Sequence, residues 1–88
     1  MAYKNKHWTY LLILDALAKT GTVDGGVIKQ ITGLESSEVH KYSHELVGLG
    51  AIEKIINFEG ERPKNKLTAK GITMRTHLGE LHTLMGDA

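Results

Sequence analysis

The sequence contains no cysteine. That excludes a disulfide framework, thiolate zinc sites and cysteine nucleophiles together. It has a single proline, Pro63, and few aromatic residues. It carries no strong excess of either charge, since 11 Lys and Arg face 10 Asp and Glu, a formal net charge of +1. Its most compact aliphatic stretch, Leu11-Leu12-Ile13-Leu14, falls far short of the ~20 residues of a membrane span. The basic start, Met1 to His7, is not followed by a signal-type apolar region and cleavage site. The expectation is a cytoplasmic chain with no membrane partner. Enzyme signatures are also missing: there is no glycine-rich phosphate loop, no nucleophile elbow and no paired carboxylates in a plausible pocket. Gly25-Gly26 is an isolated pair of glycines. No cofactor is expected.

What is present is ordinary globular composition, 41% hydrophobic and 24% charged over 88 residues. That is one small domain, residues 1–88, whose core is marginal alone and gains from dimerisation. Trp8 to Lys19 has helical spacing, with Trp8, Leu11, Leu12 and Ala16 as the stripe and Ile13 and Leu14 widening it. Gly21 is placed to end that helix in a left-handed conformation. Thr22-Val23 is a stub of strand, and Asp24 can cap a short helix through Val27, Ile28 and Ile31 that Gly33 closes. Leu34 to Leu49 forms the next helix, with Ser36 as its expected cap. Val39, Tyr42, Leu46 and Leu49 are its buried stripe, and Ser37, His40, Lys41, Ser43, His44 and Glu45 its open face. From Ala51 to Phe58 the period changes to that of a strand. The polar turn Glu59 to Lys64 and the return Asn65-Lys66-Leu67 complete a hairpin. Thr68 caps a last helix running towards Met85.

The order is helix, strand stub, helix, helix, hairpin, helix. The segments Ser36-Ser37-Glu38-Val39-His40-Lys41-Tyr42, Leu46, Gly50-Ala51-Ile52-Glu53-Lys54 and Lys66-Leu67-Thr68-Ala69-Lys70-Gly71 stand in that order. Together they resemble the pattern of MarR-like and PadR-like regulators and of small winged-helix proteins of archaea and their viruses. The resemblance covers residues 8–76. It implies an α+β winged helix-turn-helix fold, with a core at 8–71 and a dimerisation helix and tail at 72–88. It further implies a sequence-specific transcriptional regulator that binds double-stranded DNA as a homodimer.

On that resemblance, the helix at 36–49 enters the major groove and presents Ser36, Ser37, His40, Lys41, Ser43 and His44. The wing at 58–66 brings Arg62, Lys64 and Lys66 to the backbone or minor groove. Glu59 and Glu61 would repel phosphate and are expected to point away. Lys4 and Lys6 belong to a tail. Met74, Leu78, Leu81 and Met85, spaced four, three and four apart, are the expected dimer seam.

The same residue types also describe a solvated helix face and a charged hairpin tip. A winged-helix module that binds protein instead of DNA is therefore the alternative. The two readings differ in whether His40, Lys41, Arg62, Lys64 and Lys66 form one positive surface. A metal site is not expected: His77 and Glu80 share a face, but His82 is poorly aligned with them and no cysteine is available. The residues do not identify a small-molecule effector.

Overall fold

The computed structural model describes residues 6–56, 60 and 62–85. Four helices and one hairpin follow in the order α1 (Lys6–Thr20), α2 (Gly25–Thr32), α3 (Ser36–Gly48), β1 (Ile52–Ile55), β2 (Lys64–Leu67) and α4 (Ala69–Met85). This is the expected α+β winged-helix order. Glu59 and Glu61, expected to point away from phosphate, lie outside the described residues, as do Lys4 and Phe58.

Helix α1 buries Tyr10, Ile13, Leu14 and Leu17, together with Thr9 and Ala16. Leu11 and Leu12 are only half-buried, so the buried stripe is rotated from the one expected. Residues 10–14 are apolar without a gap, and periodicity alone does not select one face of such a helix. The choice follows from Tyr10, whose ring body packs in the core while its hydroxyl reaches Glu45.

Helix α2 starts where Asp24 accepts the Val27 amide at 3.1 Å. It ends on Gly33 with φ of 74°, a left-handed conformation that glycine adopts without a Cβ penalty. Helix α3 is capped by Glu35, not by Ser36: Glu35 and Glu38 form a reciprocal capping box. Ser36 is thereby released as an exposed first-turn residue.

The strands pair antiparallel, Ile52 opposite Leu67 and Lys54 opposite Asn65. Val23 adds one bridge to Asn65, which is the expected strand stub. Alternation places Ile52, Lys54, Asn65 and Leu67 on one face and Glu53, Ile55, Lys64 and Lys66 on the other. Thr68 then closes the hairpin onto α4. Its hydroxyl donates to the Gly50 carbonyl at 2.6 Å and accepts the Gly71 amide at 3.0 Å. Gly71 is buried there, and a Cβ on it would overlap the Ala51 carbonyl oxygen.

The core gathers Tyr10, Ile13, Leu14, Leu17, Ile28, Leu34, Val39, Leu46, Ala51 and Ile52 from α1, α2, α3 and β1 and the loops between them. Met74 and Leu78 of α4 pack against it as half-buried neighbours. Those two residues, expected in a dimer seam, pack partly against the core of their own domain. Ile72 is 57% exposed. Leu81, Leu84 and Met85 stay exposed, Leu84 most of all at 84%. No helix among the described residues is long and apolar enough to cross a membrane.

Candidate nucleic-acid interface

Three elements enclose a hollow of about 390 Å³: the first turn of α2, one side of α3 and the inner face of the hairpin. Its wall and rim include Lys29, Ser36, His40, Lys54 and Arg62. Each is placed by a local rule. Ser36 and His40 are one helical turn apart on α3. Lys54 shares the inner face of β1 with buried Ile52, two residues away. Arg62 follows the hairpin turn and lies against α2, its Nη1 3.5 Å from where a Cβ on Gly26 would stand.

The electrostatics of this face are one-sided. Lys29, Lys54 and Arg62 make no ion pair among the described residues. Among the described residues the one carboxylate lining the hollow is Asp24, which is engaged with the α2 cap. On the α1–α4 side one carboxylate, Asp15, matches two cations. Arg75 donates from Nε and Nη2 to Asp15 Oδ1, at 3.1 and 2.7 Å, and Lys19 stands 3.1 Å from Asp15 Oδ2. The Arg75 hydrogen bond, ahead of Lys19, holds the Asp15 carboxyl below its ordinary range against the opposing effect of burial. Lys6, counted as tail from the sequence, begins α1 and stands 3.6 Å from Glu45. The Tyr10 hydroxyl donates to the same carboxylate and, with Lys6 and Lys41 assisting, lowers its pKa.

The structure sorts the expected DNA-contacting residues into three groups. Ser36, His40 and Arg62 converge on the hollow. Ser37, Lys41 and His44 are exposed on α3, with the Lys41 ammonium 5.2 Å from the centre of the Tyr42 ring. Lys64 and Lys66 are on the outer face of the hairpin, and Lys66 borders a separate hollow with Leu17 and Arg75. The positive surface anticipated from His40, Lys41, Arg62, Lys64 and Lys66 is thus divided, the outcome that favours the protein-binding alternative; the cations that join His40 and Arg62 at the hollow are instead Lys29 and Lys54.

Ser43 corrects the sequence reading outright. It is only 4% exposed, because the buried stripe of α3 is Val39, Ser43 and Leu46; Leu49, assigned to that stripe, is exposed. Lys29 and Lys54 were not selected from the sequence. The signal for Lys54 was its place two residues after Ile52 in a strand. Lys29 follows Gly25-Gly26 by one helical turn.

His77 and Glu80 approach to 3.4 Å, whereas His82 stacks on Trp8 with ring centres 4.4 Å apart. The three do not converge, and no group of three metal-ligating side chains occurs among the described residues.

No family model and no curated protein matches the chain. Solved structures do. The DNA-binding protein Sso10a-2 from Sulfolobus solfataricus superposes with a TM-score of 0.83 at 22% identity, over 93% of this chain and 82% of that one. The PcaV transcriptional regulator from Streptomyces coelicolor gives 0.74 at 24% identity, over 81% of this chain and 53% of its own. A mutant MarR from E. coli complexed with operator DNA gives 0.71 at 16% identity, over 83% and 53%. The chain spans about half the length of the PcaV and MarR chains. The fold is that of the winged-helix DNA-binding proteins.

Proposed function

We propose that the chain is a transcriptional regulator that binds duplex DNA through the α2–α3–hairpin face and acts as a homodimer. The supporting observation is the set of cations Lys29, Lys54 and Arg62, which have no ion pair among the described residues and gather beside the exposed residues of α3. Unpaired cations on one concave face are what a phosphate backbone neutralises. In this reading α3 lies in the major groove. Ser37, His40, Lys41 and His44 meet base edges or phosphates, and Arg62 with Lys64 approaches the flanking backbone. Sso10a-2 is described as a DNA-binding protein and the MarR structure contains operator DNA; both uses are consistent with this face.

The dimer reading rests on α4. Leu81, Leu84 and Met85 leave a cluster of large apolar side chains in solvent, a patch that a second copy would cover. Met74 and Leu78 contribute at most their remaining exposed edges. A two-fold axis along the end of α4 would set two recognition helices about 34 Å apart on a pseudo-palindromic site.

The test is fluorescence anisotropy with a labelled duplex from the chain's own upstream region and a random duplex of equal length, at two salt concentrations. Binding that weakens with salt and favours the upstream duplex supports the reading. Absence of binding to either duplex at low salt overturns it in favour of a protein-interaction module. Sedimentation of Leu81→Glu/Leu84→Glu tests the dimer: the wild type should sediment as twice the mass of the variant.

A further inference from the structure

A second hollow, of about 370 Å³, lies where β2 runs between the end of α1 and the start of α4. Its apolar wall is Leu17, Ala18, Leu67 and Ile72, and Ile72 leaves 57% of its surface in solvent. It shares no residue with the hollow between α2, α3 and the hairpin. Its position follows from the way β2 ends its pairing. Asn65 exchanges both backbone hydrogen bonds with Val23, at 2.7 and 3.2 Å. Strand alternation turns the N–H and C=O of Leu67 to the same edge. Continuing that register would bring Gly21 opposite Leu67. With φ of 85° Gly21 leaves the strand instead and donates its N–H to the Leu17 carbonyl at 2.8 Å. Leu67 therefore has no backbone partner on that edge among the described residues, and a short piece of open strand faces the hollow. Two cations border it. Arg75 is engaged with Asp15, whereas Lys66 makes no ion pair among the described residues. Glu53 stands opposite Lys66 in the ladder but not within ion-pair distance.

We infer that this hollow docks an extended segment of a protein partner, one that carries an apolar side chain next to an acidic one. An open strand edge is a template for an added strand. In that mode backbone bonds supply affinity and side-chain pockets select the sequence. The partner's backbone pairs with the N–H and C=O of Leu67, in the place that Gly21 leaves free. Its apolar side chain covers Ala18 and Ile72, and its carboxylate meets Lys66. No carboxylate among the described residues lines the hollow, so the charge it offers is positive and favours an acid. A nucleic acid supplies an anion but neither the apolar side chain nor the backbone pair. The inference does not rest on the DNA-binding reading. A chain that holds duplex on the α2–α3–hairpin face could dock this partner at the same time.

The experiment is an amide NMR titration of the full chain with the peptide acetyl-Asp-Asp-Leu-Asp-Asp-amide. Three control peptides each lack one feature. One has serine for the leucine, one has asparagine for every aspartate, and one carries a methyl on the leucine backbone nitrogen. The expected result is saturable shifts at Ala18, Gly21, Thr22 and Leu67 at millimolar concentrations or below. The serine peptide should bind about tenfold more weakly, and the other two controls severalfold more weakly. Lys66→Gln and Ile72→Ser are changes at exposed residues. Each should weaken the leucine peptide severalfold while the urea midpoint stays nearly unchanged. No saturable shifts, or a response that the serine and asparagine peptides reproduce in full, overturns the site. Shifts centred on Gly25, Gly26 and His40 also overturn it, since the peptide would then be a counterion for the other hollow. Shifts at the same amides that depend on protein concentration without peptide would mean that a second copy fills the hollow, which overturns the partner assignment.

Discussion

The two sides of this small domain treat charge differently. On the α1–α4 side Asp15 accepts Arg75 from α4 and Lys19 from its own helix, which ties the last helix to the first. Among the described residues, Lys29, Lys54 and Arg62 on the α2–α3–hairpin side have no ion pair, and the buried Ser43 Oγ and Asn65 Oδ1 have no hydrogen-bond partner. Satisfied groups are what a chain needs for its own folding, and unsatisfied groups are where it has something left for another molecule. The contrast separates scaffold from site more clearly than the net charge of +1, which averages the two sides to near nothing.

The largest expected effect is on the scaffold. Gly71→Ala would drive a methyl into the Ala51 carbonyl, forcing α4 away from the turn before β1. We expect a loss of about 3 kcal/mol, read as a lowered urea midpoint. Gly79→Ala on the same helix meets nothing within 4 Å and should gain about 0.5–1 kcal/mol. If both glycines respond alike, the tight contact between α4 and Ala51 is not what holds the helix in place.

Next in size is a change to the other side. Lys54→Gln/Arg62→Gln should leave the urea midpoint nearly unchanged, because neither residue has an ion pair among the described residues. Duplex affinity at low salt should fall by about one to two orders of magnitude, and the salt slope should flatten by about two counterions. Lys19→Gln, which removes a matched cation, is the control and should leave the slope intact. A double variant that destabilises the fold yet binds DNA normally would reverse the assignment of the two sides.

Much of the scaffold was legible because it depends on local rules. Asp24, Gly33 and Thr68 act at helix ends, where a cap or a left-handed residue has a short-range signature, and all three do so here. The rotated stripe of α1 was not legible, because five consecutive apolar residues satisfy several faces and only tertiary packing selects one. The site was less legible still. Ser43 is polar, and its type alone suggested an exposed position; its burial follows from the helical phase it shares with Val39 and Leu46. Lys54 is exposed and borders the hollow because strand alternation puts it on the same face as Ile52. That hollow is created by residues from separate elements, and no window of the sequence contains it.

A smaller effect concerns the Asp15–Arg75 contact. Arg75→Gln should cost about 0.5–1 kcal/mol at neutral pH, since the pair is partly exposed and screened by salt. The Asp15 carboxyl is held below its ordinary value of 3.8. Its contribution is therefore present above that value and is lost as pH falls through the lowered one. Urea midpoints measured from pH 6 down to pH 2 should converge for wild type and Arg75→Gln at the acid end. Curves that stay parallel would mean the contact contributes through packing of the arginine stem, and the charge contrast between the two sides would lose one of its terms.

An effect of similar size tests the seam between the two sides, where α1 meets α3. Burial first, and then the hydrogen bond to Glu45, raises the Tyr10 phenol from 10.0 to about 12. The fold binds the neutral phenol, so this contribution is complete below pH 10 and is lost as pH rises towards 12. Tyr10→Phe keeps the ring in the core and removes the hydroxyl, at a cost on the order of 1 kcal/mol at neutral pH. Across pH 9 to 12 the wild type should lose stability faster than the variant, until the difference between them closes. Absorbance titration should show one phenol ionising late in the wild type and none so late in Tyr10→Phe. If the late ionisation persists in the variant, another tyrosine is the protected one, and the Tyr10–Glu45 contact does not join α1 to the helix that carries the proposed recognition surface.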